Sequence, residues 1–118
     1  MGNSFRDLGI WQKAMQLTVV IYRLTREFPR EEVYGLTSQL RRSAVSVPSN
    51  IAEGHGRLTT CDYRHFLGIA RASNFELQTQ IEIARSLEFG NPLLIDEADG
   101  LSNEIGKMLY ATLESLKN

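Results

Sequence analysis

The chain has 118 residues, 42% of them hydrophobic and 23% charged, with a formal net charge of −1. That length fits one domain, residues 1–118, and the composition is globular, far from the disordered range. Near-neutrality gives no overall pull toward nucleic acid, and every apolar run is much shorter than the ~18 residues a membrane span needs.

The first periodic segment runs from Phe5 to Phe28. Ile10, Ala14, Leu17, Ile21, Leu24 and Phe28 recur at helical spacing and form an apolar stripe. A second stripe, Leu8, Trp11, Met15, Val19 and Tyr22, lies beside it. One stripe seats a helix in a bundle; two make a face wider than a small monomer covers, so the second is the expected oligomer interface. Pro29 is expected to end this helix, because the residue before a proline is pushed out of the α region.

A short link, Pro29 to Tyr34, leads to a second helix carrying Leu36, Leu40, Ala44, Val47 and Ile51. Pro48 falls inside it and removes one backbone donor, so a kink is expected, with the stripe continuing to Ile51. Gly54-His55-Gly56 then offers residues suited to a left-handed C-terminal turn. The third helix opens at Thr59 and Asp62, which have capping-box spacing, and its expected core stripe is Phe66, Ala70, Ser73, Leu77, Ile81, Ala84 and Leu87. Gly90-Asn91-Pro92 reads as a stop, a cap and a restart. The fourth helix carries Leu94, Ala98, Leu101, Ile105, Met108 and Thr112, with Leu109, Leu113 and Leu116 beside them. No strand-like alternation competes. The expected fold is all-α: an antiparallel up-down-up-down four-helix bundle with its second helix kinked at Pro48.

Little in the chain suggests catalysis. Cys61 and His65 share a helix face and His55 precedes them, but no CxxC or HxxxH pair supports a metal, and no orienting group or oxyanion pocket supports a nucleophile. Asp62-x-x-His65 is a lone, imperfect copy of a di-iron motif that needs two. Gly54-x-Gly56 follows a helix and lacks the lysine of a phosphate loop. The residues therefore imply no enzyme, no metal and no cofactor. Asn50, Glu53 and Glu76 lie near expected core positions, where a carboxylate needs an Arg partner, and Arg41 or Arg42 is the expected one.

The arginines remain as candidate phosphate contacts. Arg23, Arg26 and Arg30 share a face, and Arg41, Arg42, Arg57, Arg64 and Arg71 extend it if the first three helices bring them together. Residues 1–71 carry 10 Lys/Arg against 6 Asp/Glu, and residues 72–118 carry 3 against 8, so the first part holds +4 and the second −5. The competing reading is a solvated face that pairs with Glu27, Glu31, Glu32 and the acidic fourth helix. The opening residues, Met1 to Arg6, match neither a signal peptide nor a myristoylation site, and the single Cys61 precludes an internal disulfide. A reducing cytoplasm is the expected location.

Phe28-Pro29-x-x-Glu32-x-Tyr34-Gly35-Leu36-x-x-Gln39-Leu40-Arg41-Arg42-Ser43-Ala44 resembles a bacterial four-helix-bundle family encoded in intervening sequences of 23S ribosomal RNA genes. So do Pro48-Ser49-Asn50-Ile51-Ala52-Glu53-Gly54, Tyr63-x-x-Phe66-Leu67-x-Ile69-Ala70, Ser73-x-x-Glu76-Leu77 and Phe5-x-x-Leu8-x-x-Trp11-x-x-Ala14. The resemblance covers nearly the whole chain. It implies a homopentameric ring with a loose link to ribosomal RNA, and makes Asn50, Glu53, Gly54 and Glu76 architectural. A similar branch, the accessory variability determinants of diversity-generating retroelements, binds a reverse transcriptase and nucleic acid; this chain differs in its pI of about 6.1. The expected function is a non-enzymatic homo-oligomer that binds structured RNA through an arginine face. The alternative is a protein–protein adaptor without nucleic acid.

Overall fold

The four periodicities become four α-helices: α1 Gly9–Thr25, α2 Leu36–His55, α3 Thr60–Ser86 and α4 Pro92–Ser115. They are seen in a computed structural model that describes residues 4–117, and no strand occurs among the described residues. Short 3-10 turns at Phe5–Asp7 and Arg30–Glu32 precede α1 and α2. The expected helix from Phe5 to Phe28 is shorter at both ends. Ser4 accepts from the Arg6 amide to cap the 3-10 turn, and an extended Leu8 (ψ 128°) separates that turn from α1. At the far end the helix stops at Thr25, and Phe28 reaches the core from the following turn.

Cross-helix contacts run in opposing register. Thr18 meets Ala44 and Thr25 meets Arg41 between α1 and α2. Ser46 meets Ser73 between α2 and α3, Asn74 meets Ser102 between α3 and α4, and Lys13 meets Glu104 between α1 and α4. Numbers rise on one helix as they fall on the next: Arg85 of α3, eleven residues after Asn74, reaches back to Asp96 of α4. Neighbouring helices are antiparallel, and the bundle measures 45 × 21 × 20 Å.

Pro48 sits inside one unbroken helix. A proline has no N–H to give the carbonyl four residues back, which is that of Ala44. The Thr18 hydroxyl of α1 fills the gap, 3.1 Å from the Ala44 oxygen and 2.8 Å from that of Ala14. A break in the backbone ladder of α2 thus becomes a tie to α1.

The glycines after α2 do not form a left-handed cap. Gly56 has φ −82°, and the positive-φ residues described are Glu88 (59°) and Gly90 (77°). Gly54 lies inside α2 for a different reason: a Cβ there would stand 2.9 Å from Phe66 Cβ and 3.2 Å from the Tyr63 carbonyl oxygen. Its absence lets α2 and α3 touch backbone to backbone. The left-handed cap belongs to α3. The Glu88 amide donates to Arg85 and the Phe89 amide to Ala84, a Schellman closure with Glu88 at the left-handed position. Thr59 caps the start of α3 by accepting from the Asp62 amide at 3.0 Å. Asn91 caps α4, accepting from the Leu93 amide at 2.8 Å, with Pro92 at the first helical position.

All eleven expected core residues of the first two segments are buried. On α3 the stripe is displaced: Leu67 is fully buried, Phe66 only partly, and Leu87 is exposed. On α4 the buried face is Ile95, Ala98, Ser102, Ile105 and Leu109. Leu94, Leu101 and Met108 pack at its margins. Apolar residues on one side of that face pulled the expected stripe off centre, because the axis of the face runs through a serine. Ser102 Oγ donates to Asn74 Oδ1 at 2.8 Å, and Asn74 Nδ2 donates to the Ser102 carbonyl at 3.0 Å.

Candidate nucleic-acid interface

The antiparallel bundle divides the eight candidate arginines rather than gathering them on one face. Arg26 and Arg30 follow α1, and Arg41 stands in the second turn of α2, so they meet at one end of the molecule. With Thr25, Thr37 and Val33 they line a concavity of about 450 Å³ whose wall contains no carboxylate. Arg41 is held in place from two sides: its Nε donates to Thr25 Oγ1 at 2.9 Å, and its guanidinium lies 4.5 Å from the centre of the Tyr22 ring. A planar guanidinium fixed by stacking and one hydrogen bond keeps its terminal donors free for an anion. Among the described residues no ion pair involves Arg26, Arg30 or Arg41. Glu32, which might have neutralised them, has Oε1 3.0 Å from the Leu36 amide, capping α2.

The other five lie elsewhere. Arg23 shares the α1/α4 groove with Glu97. Arg42 donates to Ser38 Oγ at 3.4 Å and borders the α2/α3 groove opposite Glu76. Arg57 and Arg64 are at the opposite end of the bundle, where Arg57 pairs with Glu53 at 3.5 Å and stacks over Phe66. Arg64 Nε is buried without a hydrogen-bond partner. Arg71 lies midway along α3, over Phe75 and Tyr110.

The expected pairing of Arg41 or Arg42 with Glu53 or Glu76 does not occur. Glu53 and Glu76 are both exposed, so neither incurs the desolvation that would require a buried partner. Asn50 works locally, donating to the Ser46 carbonyl at 2.8 Å and lying 3.0 Å from its hydroxyl, while Ser46 and Ser73 hydroxyls bond across the helices at 2.8 Å. Nearby, Gln80 Oε1 is buried and without a partner. Cys61 is free and exposed, and among the described residues no three His, Cys, Asp or Glu side chains converge on a metal position. His55 instead packs edge-on to Tyr63 and His65 to Phe66.

Among the described residues, Tyr63 and Arg85 depart from their ordinary values. Burial against α2 pushes the Tyr63 phenol up. The Asp96 carboxylate, hydrogen-bonded at 2.8 Å, raises Arg85 with help from Glu82. Arg85 also reaches Asp99 at 3.5 Å, so this arginine serves an internal charge cluster.

The expected assembly stripe separates into two parts. Leu8 and Trp11 are partly buried against the core, with Phe5 edge-on to the Trp11 ring at 5.2 Å. Met15, Val19 and Tyr22 are exposed. A further exposed aromatic pair, Phe75 and Tyr110, went unrecognised in the sequence because its members are far apart on different helices.

A family model described as 23S rRNA-intervening sequence protein matches residues 6–111. The chain belongs to that family. A crystal structure of a protein of unknown function from the S23 ribosomal protein family of Bacteroides thetaiotaomicron shares the fold, with a TM-score of 0.78 over 88% of this chain and 97% of that one. At 21% identity the likeness is one of architecture. Comparison with curated proteins gives no match. Among the described residues no helix is long and apolar enough to cross a membrane.

Proposed function

We propose that this chain is a non-enzymatic, homo-oligomeric bundle that binds structured RNA in the cytoplasm, with the Arg26–Arg30–Arg41 concavity as its phosphate contact. The supporting observation is that three guanidinium-bearing residues surround one hollow without a carboxylate in its wall. Membership of a family described by its rRNA-intervening sequences is consistent with this reading. Contacts of this kind grip phosphate and read little sequence. The contact set is thus narrower than the eight arginines expected from sequence: Arg57 is occupied by Glu53, and Arg23 faces Glu97.

The test is a titration of the purified protein with a folded 23S rRNA fragment across salt. Binding should weaken with a log–log slope of roughly one unit per phosphate contact. Arg26→Glu with Arg30→Glu should abolish binding without changing the helical signal. Unaltered binding by that variant sinks the assignment.

The exposed Met15, Val19 and Tyr22 support assembly, and the homopentamer implied by resemblance is the form proposed. Val19→Glu should then lower the sedimentation coefficient of the native protein. The same stripe carries the second reading, an adaptor for another protein. It takes the lead if no RNA binds even at low salt and a co-purifying protein survives nuclease treatment.

A further inference from the structure

A groove of about 480 Å³ runs along the junction of α3 and α4, on the other side of the bundle from the arginine hollow. Its lining joins three chemistries from two helices: aromatic Phe75 and Tyr110, cationic Arg71 and Lys107, and the side-chain amides of Gln78 and Asn103. Phe75 is 50% exposed and Tyr110 55%, each presenting a ring to solvent. The Arg71 guanidinium sits between them, 5.1 Å from the Phe75 ring centre and 5.9 Å from that of Tyr110. Neither Arg71 nor Lys107 joins an ion pair among the described residues, and no carboxylate lines the groove. This holds although α4 belongs to the acidic part of the chain. Its carboxylates Asp96 and Asp99 are drawn off toward Arg85, Glu104 toward Lys13 and Glu114 toward Lys117.

We infer that this groove binds an unpaired segment of RNA, with nucleobases stacked on Phe75 and Tyr110 and the backbone phosphates held by Arg71 and Lys107. The inference rests on the RNA-binding reading above and adds which part of the RNA is taken. Three features single out this occupant. Exposed rings beside uncompensated cations match the alternation of base and phosphate along a single strand. A purely apolar partner would leave both cations desolvated without a counter-charge, and a duplex keeps its base faces inside its own stack. The amides, with Gln78 Nε2 donating to Asn103 Oδ1 at 3.3 Å, stand beside the rings where base edges would lie. Gly106 adds no side chain to the lining, and a Cβ there would stand 3.4 Å from the buried Asn74 Nδ2.

The experiment measures anisotropy of two labelled RNAs of equal length, an unstructured oligouridine and a blunt hairpin stem, with native protein and three variants. Phe75→Ala and Tyr110→Ala should each weaken oligouridine binding by roughly tenfold, the scale of one lost base–aromatic stack. Both should leave hairpin binding unchanged, and Phe75→Trp should preserve both affinities. Arg26→Glu with Arg30→Glu should do the reverse, losing the hairpin while retaining most oligouridine binding. If the alanine variants bind oligouridine as the parent does, or the parent prefers the hairpin and ignores oligouridine, the groove proposal is overturned while the arginine hollow stands. If the alanine variants instead change the sedimentation of the native protein and spare oligouridine binding, the groove is a contact between copies and the proposal is equally overturned. Loss of hairpin binding alone in every preparation, with the oligouridine effects intact, refutes the hollow and leaves the groove.

Discussion

The Thr18 hydroxyl should matter to stability only because residue 48 is proline. With Pro48 unable to donate, the Ala44 carbonyl, in a residue 1% exposed, has Thr18 Oγ1 at 3.1 Å as its cross-helix donor. Thr18→Val keeps the shape of the side chain and deletes the donor. A buried acceptor left without a partner costs about 1–3 kcal/mol. Thr18 is itself only part-buried and its hydrogen is shared with Ala14, which places the expected loss near the lower end, about 1–1.5 kcal/mol. That corresponds to a fall in Tm of roughly 5 °C for a domain of this size. Pro48→Ala supplies the missing N–H, so Ala44 regains its helical partner and the hydroxyl becomes redundant. In that background Thr18→Val should cost about 1 kcal/mol less, a coupling energy that cancels whatever cavity Pro48→Ala leaves. Urea unfolding followed by far-UV circular dichroism, at one protein concentration for all four proteins, measures the cycle. Additive single-mutant effects would refute the account, because they would mean that Thr18 does not answer the proline.

Gly54→Ala should destabilise by roughly 1–2 kcal/mol despite the higher helix propensity of alanine, because the new methyl meets Phe66 Cβ at 2.9 Å and the Tyr63 carbonyl at 3.2 Å; equilibrium unfolding decides it. Glu88→Gly should act in the opposite direction, stabilising by roughly 0.5–1 kcal/mol by relieving a non-glycine residue at φ 59°, read from the same unfolding curves. Burial raises the Tyr63 phenol above its ordinary value of 10.0, so the unfolded chain loses its proton first and stability falls as pH rises from 10.0 toward the folded value. Tyr63→Phe should flatten that alkaline decline in a pH series of unfolding free energies, and an unchanged slope would refute the assignment to Tyr63.

Helical class, order and antiparallel arrangement were legible because they rest on 3.6-residue periodicity and on short links. The α2 stripe read correctly since it has mostly polar residues on its flanks, and the α1 stripe did so although Leu8 and Trp11 of the adjoining apolar stripe pack at its margin. On α4, Leu94, Leu101 and Met108 flank the true face on one side, and period alone does not locate the centre of so broad an apolar arc. Ser102 and Asn74 were invisible for a related reason: a polar residue earns a core position only through a partner on another helix, and here the two are 28 residues apart. Gly54 was legible as a constraint but not as the right one, since left-handed turn and close helix approach both demand glycine. The arginine face failed at the level of geometry. Spacing places Arg23, Arg26 and Arg30 together on one helix, but whether Arg57 and Arg64 join them depends on which end of an antiparallel neighbour they occupy.

The polar contacts also explain how a core so rich in small residues keeps one register. Ala14, Ala44, Ala70, Ala84 and Ala98 are all essentially inaccessible, and alanine-to-alanine contacts alone would tolerate sliding of one helix past another. Three of the four neighbouring helix pairs carry a hydrogen bond that a one-turn slip would break: Thr18 to the Ala44 carbonyl, Ser46 to Ser73, and Asn74 to Ser102. Buried donors and acceptors act here less through net stability than by making wrong registers costly, since each slip strands a polar group in the core. The α1/α4 pair is different. Its cross-helix polar tie among the described residues is Lys13 to Glu104 at 3.4 Å, with both side chains substantially solvated, and such a pair contributes little. Shape holds that seam: the Met108 methyl stands 3.4 Å from where a Gly9 Cβ would be, and Trp11 and Leu8 pack beside it. The seam with the least polar specification therefore adjoins the exposed Met15 and Val19, and a neighbouring subunit seated on those residues would reinforce the bundle where its own hydrogen bonds do not.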